Sequence, residues 1–190
     1  KKLLTRSLQA ACLLGVGISL LASCSVRGAQ MQQNSLLERF ETKSGLIAFI
    51  GLDGNITTTD QTGGQVTQLT VDAGSRDGVR RWYTGPAWSA RARQLSFIKF
   101  DQLSDGTIYS SVLTTDRGSL KPRVIWESSE LSPIYLYWSP DGKWISLLSQ
   151  HAGSEPRFEL GIIDPAGKLS YKPMDTGLPL YWAWDPENRF

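Results

Sequence analysis

Leu136-Tyr137-Trp138-Ser139-Pro140-Asp141-Gly142-Lys143 is the stretch from which the rest of the chain can be read. Ile134, Leu136 and Trp138 alternate with Tyr135 and Tyr137, the period-two pattern of a strand. Ser139-Pro140-Asp141-Gly142 then forms a turn for a stated reason: proline presets φ at the second position, and glycine accepts the tight exit. Trp144 to Leu148 returns as an apolar strand, so the stretch predicts an antiparallel hairpin.

The same pattern recurs on both sides. Pro86-Ala87-Trp88-Ser89 precedes it, and Trp182-Ala183-Trp184-Asp185-Pro186-Glu187-Asn188-Arg189 follows it. The anchor tryptophans Trp88, Trp138 and Trp184 are 50 and then 46 residues apart. Leu95-Ser96-Phe97-Ile98 matches Ile145-Ser146-Leu147-Leu148 at the same offset, and Ile47-Ala48-Phe49-Ile50 repeats the pattern 48 residues earlier. That offset points back to Phe40 as a degenerate first anchor. Third strands are predicted at Ile56 to Thr59, Thr107 to Thr114 and Arg157 to Ile163. Fourth strands are predicted at Gln65 to Leu69, Arg123 to Trp126 and Lys168 to Tyr171.

Four short antiparallel strands in a unit of this length make a β-propeller blade. The expected fold class is therefore all-β, a partial β-propeller of about three four-stranded antiparallel blades. Such blades bury both faces against their neighbours, so the anchor tryptophans are expected to pack rather than to react. Phe190 falls at the offset of Trp144, and the natural protein is expected to continue past it.

The N-terminus has three zones. Lys1, Lys2 and Arg6 form a basic start, and Ala10 to Ala22 form an apolar or small-residue stretch of 13 residues. A bilayer span needs about 20 residues, so this length suits a signal-peptide core instead. The stretch ends in Leu21-Ala22-Ser23-Cys24, which resembles the lipobox of bacterial lipoproteins. The resemblance implies a thiol that accepts diacylglycerol and cleavage before Cys24, which frees an amine for further acylation. Two or three acyl chains make a stable anchor where one is marginal. Ser25 implies transfer to the outer membrane if the source is Gram-negative. The expected organisation is a signal peptide over 1–23 and a polar tether over 24–44 that includes a possible poor first strand. Blades then fill 45–190.

Charge and cysteine usage narrow the function classes. The formal net charge is +2, but three of the 20 basic residues lie in the leader, leaving 17 against 18 acidic ones. That balance offers no electrostatic footprint for nucleic acid. Arg80-Arg81 and the Arg91/Arg93 turn read as solvated loop charges. Cys12 and Cys24 both belong to the leader region, so no disulfide framework is expected in the blades. His151 is the single histidine. No catalytic residue, metal ligand or cofactor is assigned, and Cys24 alone carries assigned chemistry. His151, Asp101, Asp105 and Glu155 are placed in inter-strand loops that could approach a propeller axis, where turn chemistry and solvation explain them; His151 reads as an exposed loop residue.

Trp138-Ser139-Pro140-Asp141-Gly142-Lys143 resembles the repeat of TolB-type, WD-like propellers of bacterial envelopes. Asp60-Gln61-Thr62-Gly63-Gly64-Gln65-Val66-Thr67-Gln68-Leu69-Thr70 resembles the other half of that repeat. The resemblance covers roughly Gly45 to Phe190. The second unit departs from it, with Ala90-Arg91-Ala92-Arg93 where Pro-Asp-Gly would stand, and the repeats begin almost directly after the tether, where TolB-type proteins carry an α/β domain. The implied function is a membrane-tethered extracytoplasmic binding module, its partner an envelope protein or polymer and its membrane contact the lipid on Cys24. The alternative is the N-terminal propeller of a larger prolyl-oligopeptidase-like hydrolase, which requires a Gly-x-Ser-x-Gly motif outside these 190 residues.

Overall fold

The computed structural model describes residues 45–90, 93–153, 157–166 and 171–187, all within the unit Gly45–Phe190. They form twelve strands and no helix. Sheet 1 is β1 (Leu46–Ile50), β2 (Ile56–Asp60) and β3 (Thr67–Gln68). Sheet 2 is β4 (Gly74–Arg76), β5 (Val79–Trp88), β6 (Gln94–Gln102), β7 (Ile108–Asp116) and β8 (Arg123–Ser128). Sheet 3 is β9 (Leu131–Trp138), β10 (Ile145–His151), β11 (Phe158–Ile163) and β12 (Lys172–Gly177). Each sheet is an antiparallel meander in chain order. The chain is thus an all-β run of propeller-type blades.

The strand counts are three, five and four rather than a uniform four. The extra strand, β4, is a short hairpin partner for the start of β5, pairing Arg76 with Val79. Asp77 and Gly78 between them both adopt positive φ, the geometry a two-residue hairpin requires. The fourth strand of sheet 3 is β12, beginning at Lys172; of the predicted strand Lys168 to Tyr171, residues 168–170 lie outside the described residues, and Tyr171 packs against the core between sheets 2 and 3.

Two cores alternate with the sheets. Leu95, Phe97 and Leu113 of sheet 2 meet Ile56 of sheet 1, with Tyr83 alongside. From the opposite face of sheet 2, Ile98, Phe100 and Val112 meet Leu136, Ile145, Leu147 and Ile163 of sheet 3. Successive residues of β6 therefore serve different cores, as strand geometry demands. Trp138 packs against the second core, and its indole N–H donates across the gap to the Ala87 carbonyl at 3.1 Å.

The turns after Trp88 and Trp138 are each held by a buried serine. Ser139 Oγ accepts from the N–H groups of Lys143 (3.2 Å) and Trp144 (3.0 Å) and donates to Asp141 at 2.7 Å. Ser89 Oγ accepts likewise from Arg93 and Gln94, both at 3.2 Å, although its unit lacks Pro-Asp-Gly. Serine is thus the common element of this turn.

β-Bulges break the simple alternation. In sheet 3, Tyr135 pairs with Leu148 but Pro133 pairs with Ser149, so Ile134 is the extra residue and is left exposed. The sequence pattern had grouped Ile134 with Leu136 and Trp138; the bulge turns it out. A second bulge lies at Gly85-Pro86, where Gly85 has φ +61°. Proline cannot donate to a ladder, and both Pro86 and Pro133 sit in bulged anchor strands.

Leu147 is fully buried between sheets 2 and 3. Leu147→Ala is expected to cost about 2–5 kcal/mol, whereas exposed Leu120→Ala should stay within about 0.5 kcal/mol. Urea denaturation checks this, and equal losses would contradict the assigned core.

Candidate functional site

One end of the blades gathers the polar chemistry. It is the end where β5 begins, β6 turns into β7, and β8 finishes. Arg81 of β5 stands opposite Asp101 of β6. Its Nε donates to Asp101 Oδ1 at 2.6 Å and its Nη2 to Oδ2 at 3.1 Å, a bidentate pair. Lys99 Nζ lies 3.0 Å from Asp101 Oδ2. Arg81 also bonds Asp72 in the connection from sheet 1, and Tyr83 donates its hydroxyl to Asp72 at 2.6 Å. The cluster therefore fastens the inter-sheet connection to sheet 2.

Partial burial pushes the Asp101 carboxyl up, but hydrogen bonds from Arg81 and Lys99 outweigh it and hold the group below the usual carboxylate range. Asp72 behaves alike, with burial opposed by Tyr83 and Arg81. Burial, reinforced by the Asp72 carboxylate, raises the Tyr83 hydroxyl above the ordinary phenol value. Beside this network lies a cleft of 440 Å³ lined by Arg81, Asp101, Leu103, Tyr109, Ser111 and Glu127. Ser111 Oγ donates to Glu127 at 3.3 Å, and the Tyr109 ring is exposed. The cleft offers cationic, anionic, hydroxyl and aromatic groups fixed on strands.

Sheet 3 carries a second cluster at the equivalent end. Glu159 is buried and accepts from the Tyr171 hydroxyl at 2.8 Å, while His151 Nε2 lies 2.9 Å from its other oxygen. Arg157 Nη2 is 3.3 Å from the same Nε2. One nitrogen cannot donate to the carboxylate and accept from the guanidinium together. The Tyr171 ring lies directly on Gly161, where an added Cβ would come within 2.1 Å of it, so a larger residue there would displace the ring. Its other neighbour is Trp126, at 5.6 Å between centroids.

A third feature is aromatic. Tyr135 and Tyr137 stack at 6.3 Å, and Trp182 meets Tyr137 edge-on at 5.5 Å. They border a 450 Å³ groove on sheet 3. Both Trp182 and Trp184 donate their indole N–H to Ser146 Oγ at 3.0 Å. Ser146 in turn donates to the Tyr137 carbonyl at 3.2 Å. By repeat position this is the face that, on sheet 2, carries sheet 3.

These positions correct several sequence expectations. Arg81 is a strand residue in an ion-paired network, not a solvated loop charge. Asp101 is in β6 and His151 ends β10, each with partners in its own sheet; neither is a loop residue. His151 is half-buried and engaged with Glu159 rather than exposed. Asp105 does sit in a turn, accepting the Thr107 N–H at 2.9 Å. Glu155 and Cys24 lie outside the described residues. Sequence reasoning missed Lys99, Tyr109, Glu127 and Glu159, whose alternation along their strands was the available signal, and Tyr171, which precedes β12.

Neither protein-family models nor the curated proteins contain a match to this chain. Among solved structures, it is similar to TolB from Acinetobacter baumannii (17% identity, TM-score 0.46) over 64% of this chain and 26% of that one. A putative TolB from Agrobacterium tumefaciens is similar over 68% and 41%, with 18% identity and TM-score 0.46. A putative dipeptidyl aminopeptidase IV from Bacteroides ovatus is similar over 70% and 24%, with 15% identity and TM-score 0.45. The matched region thus spans about a quarter to two-fifths of these proteins.

Asp101 and Asp72 titrate below their ordinary value in the folded state, so the unfolded chain takes up their protons first on acidification. Their stabilisation is complete above the ordinary carboxylate pKa of about 3.9 and is lost as pH falls below it. Urea midpoints from pH 5 to 2 should fall less steeply for Asp101→Asn than for the parent chain. Parallel profiles would remove the ion network from the account of acid stability.

Proposed function

We propose that the chain is a lipid-tethered, extracytoplasmic propeller module that binds an envelope partner through the cleft beside Arg81 and Asp101. The observation that carries this reading is the cleft itself: Arg81, Asp101, Ser111 and Glu127 held on adjacent strands, with the Tyr109 ring exposed beside them. Donors and acceptors of both signs, already fixed by their ladder, lose little freedom on meeting a polar ligand. A tyrosine at the rim adds amphipathic contact area at small entropic cost. This is the composition of a recognition surface for a polypeptide loop.

The tether rests on Leu21-Ala22-Ser23-Cys24 behind a basic start and an apolar core. Lipid on Cys24 confines the module to the extracytoplasmic membrane surface. There a partner need only diffuse in two dimensions or reach across a short gap, so a modest cleft affinity is enough.

Two experiments test the two halves. Cys24→Ser in the full chain should abolish incorporation of labelled palmitate and shift the protein from the detergent to the aqueous phase. Unchanged partitioning would discard the lipid anchor. A photo-crosslinking amino acid at Tyr109, in the producing cell, should give a discrete adduct that the same group at exposed Leu120 does not. A peptide adduct supports the protein partner, while a glycan adduct or no adduct at position 109 overturns it.

A further inference from the structure

The register of sheet 2 separates the charges around this cleft into those already neutralised and one that is not. Tyr83, Lys99, Ser111 and Glu127 stand in one row across β5 to β8. Arg81, Asp101 and Tyr109 form the next row, two residues along and so on the same face. Arg81 is engaged through all three of its nitrogens, Nε and Nη2 with Asp101 and Nη1 with Asp72. The Lys99 ammonium meets Asp101 at 3.0 Å. Arg81 and Lys99 therefore balance Asp72 and Asp101 within the protein.

Glu127 stands outside that balance. Its Oε1 accepts a long bond of 3.3 Å from Ser111, and no ion pair among the described residues includes it. It is exposed and lines the cleft. Tyr109 is its diagonal neighbour across the β7–β8 pair, since Ser111 is the residue directly opposite. Diagonal side chains on one face are about 7–8 Å apart, within reach of long or aromatic groups. The Tyr109 residue is 46% exposed, so its ring is open to a ligand.

A carboxylate with acceptor capacity left over, beside an open phenol ring, suits a cation. Such a group gains a charge-assisted hydrogen bond from Glu127 and the negative face of the ring from Tyr109. An anion entering the cleft would meet Glu127 while both nearby cations are already engaged. A purely apolar group would bury the carboxylate without a partner.

We propose that the cleft selects its partner by a basic side chain, arginine or lysine, seated between Glu127 and the Tyr109 ring. This rests on the cleft being a polypeptide-binding surface, and adds what that polypeptide carries. Leu103 offers apolar wall for the methylene stem of the incoming side chain. Glu127 is then the specificity-determining residue, and the Arg81–Asp101 network holds the strands that position it.

The test needs no knowledge of the partner. The full chain is labelled with carbon-13 in its tyrosine rings, and the Tyr109 resonance is assigned by its loss in Tyr109→Phe. Nα-acetylarginine amide should move that resonance, Nα-acetylglutamate amide should not, and Glu127→Gln should abolish the response. Asp175→Asn, at an exposed carboxylate on sheet 3, should leave it intact. No response to the arginine probe, an equal response to the glutamate probe, or one that survives Glu127→Gln overturns the proposal. A second arm places a photo-crosslinking amino acid at Ser129, which is exposed, lines the cleft and leaves Glu127 and Tyr109 intact. In the producing cell, Glu127→Gln should lower the adduct yield about tenfold, the loss of one charged hydrogen bond. A parent adduct undiminished by Glu127→Gln overturns the basic side chain alone. No adduct from the parent chain overturns the polypeptide-binding surface, and this proposal with it.

Discussion

A blade of this chain cannot bury its own faces, and everything else in the structure answers that constraint. A single antiparallel sheet exposes two surfaces, and each apolar side chain needs a neighbour to leave water. Sheet 2 solves this on both sides, spending Leu95 and Phe97 on sheet 1 and Ile98 and Phe100 on sheet 3. Contact area alone would let two sheets slide. The indole of Trp138 fixes them by donating to the Ala87 carbonyl, in the strand that carries the previous anchor. Packing and register are thereby set by one side chain, which is why its spacing is the strongest signal in the sequence.

The local devices are of two kinds, and only one is visible from sequence. Proline, aspartate and glycine at 140–142 announce a turn by their own conformational limits. The second unit shows that the turn depends on the serine before them, since Ser89 makes the same two backbone bonds as Ser139. Bulges are the other kind. A register shift at Leu148/Ser149 changes which side of β9 faces the core, and nothing about Ile134 itself forecasts that it will be turned out. Period-two reasoning holds on either side of a bulge and fails across it.

The fold was therefore largely legible and the polar clusters largely not. Strand positions follow from alternation within ten residues. Arg81 and Asp101 are twenty residues apart, and their pairing exists only once β5 and β6 are in register. Read singly, each is an ordinary surface charge. Glu159 is legible only with Tyr171, and Tyr171 leaves the ladder because Gly161 provides room for its ring. Interactions made by two strands, or by a side chain over a glycine, are properties of the register and not of a segment. Cys24 is the reverse case: its chemistry depends on a contiguous four-residue context, so sequence can propose it without any fold.

The meander has a mechanical side. In β1–β2 the first residue of one strand faces the last of the other, Leu46 opposite Asp60. Tension entering the chain at Gly45 and leaving after Asp60 therefore acts at one end of that hairpin. Its backbone bonds are loaded one pair after another, as in a zipper, and not all at once as in a lap joint. The β10–β11 hairpin has the same layout, with Ile145 opposite Ile163. A chain built this way yields to force in small successive steps at low load, and what resists a pull is the stacking of one sheet on the next.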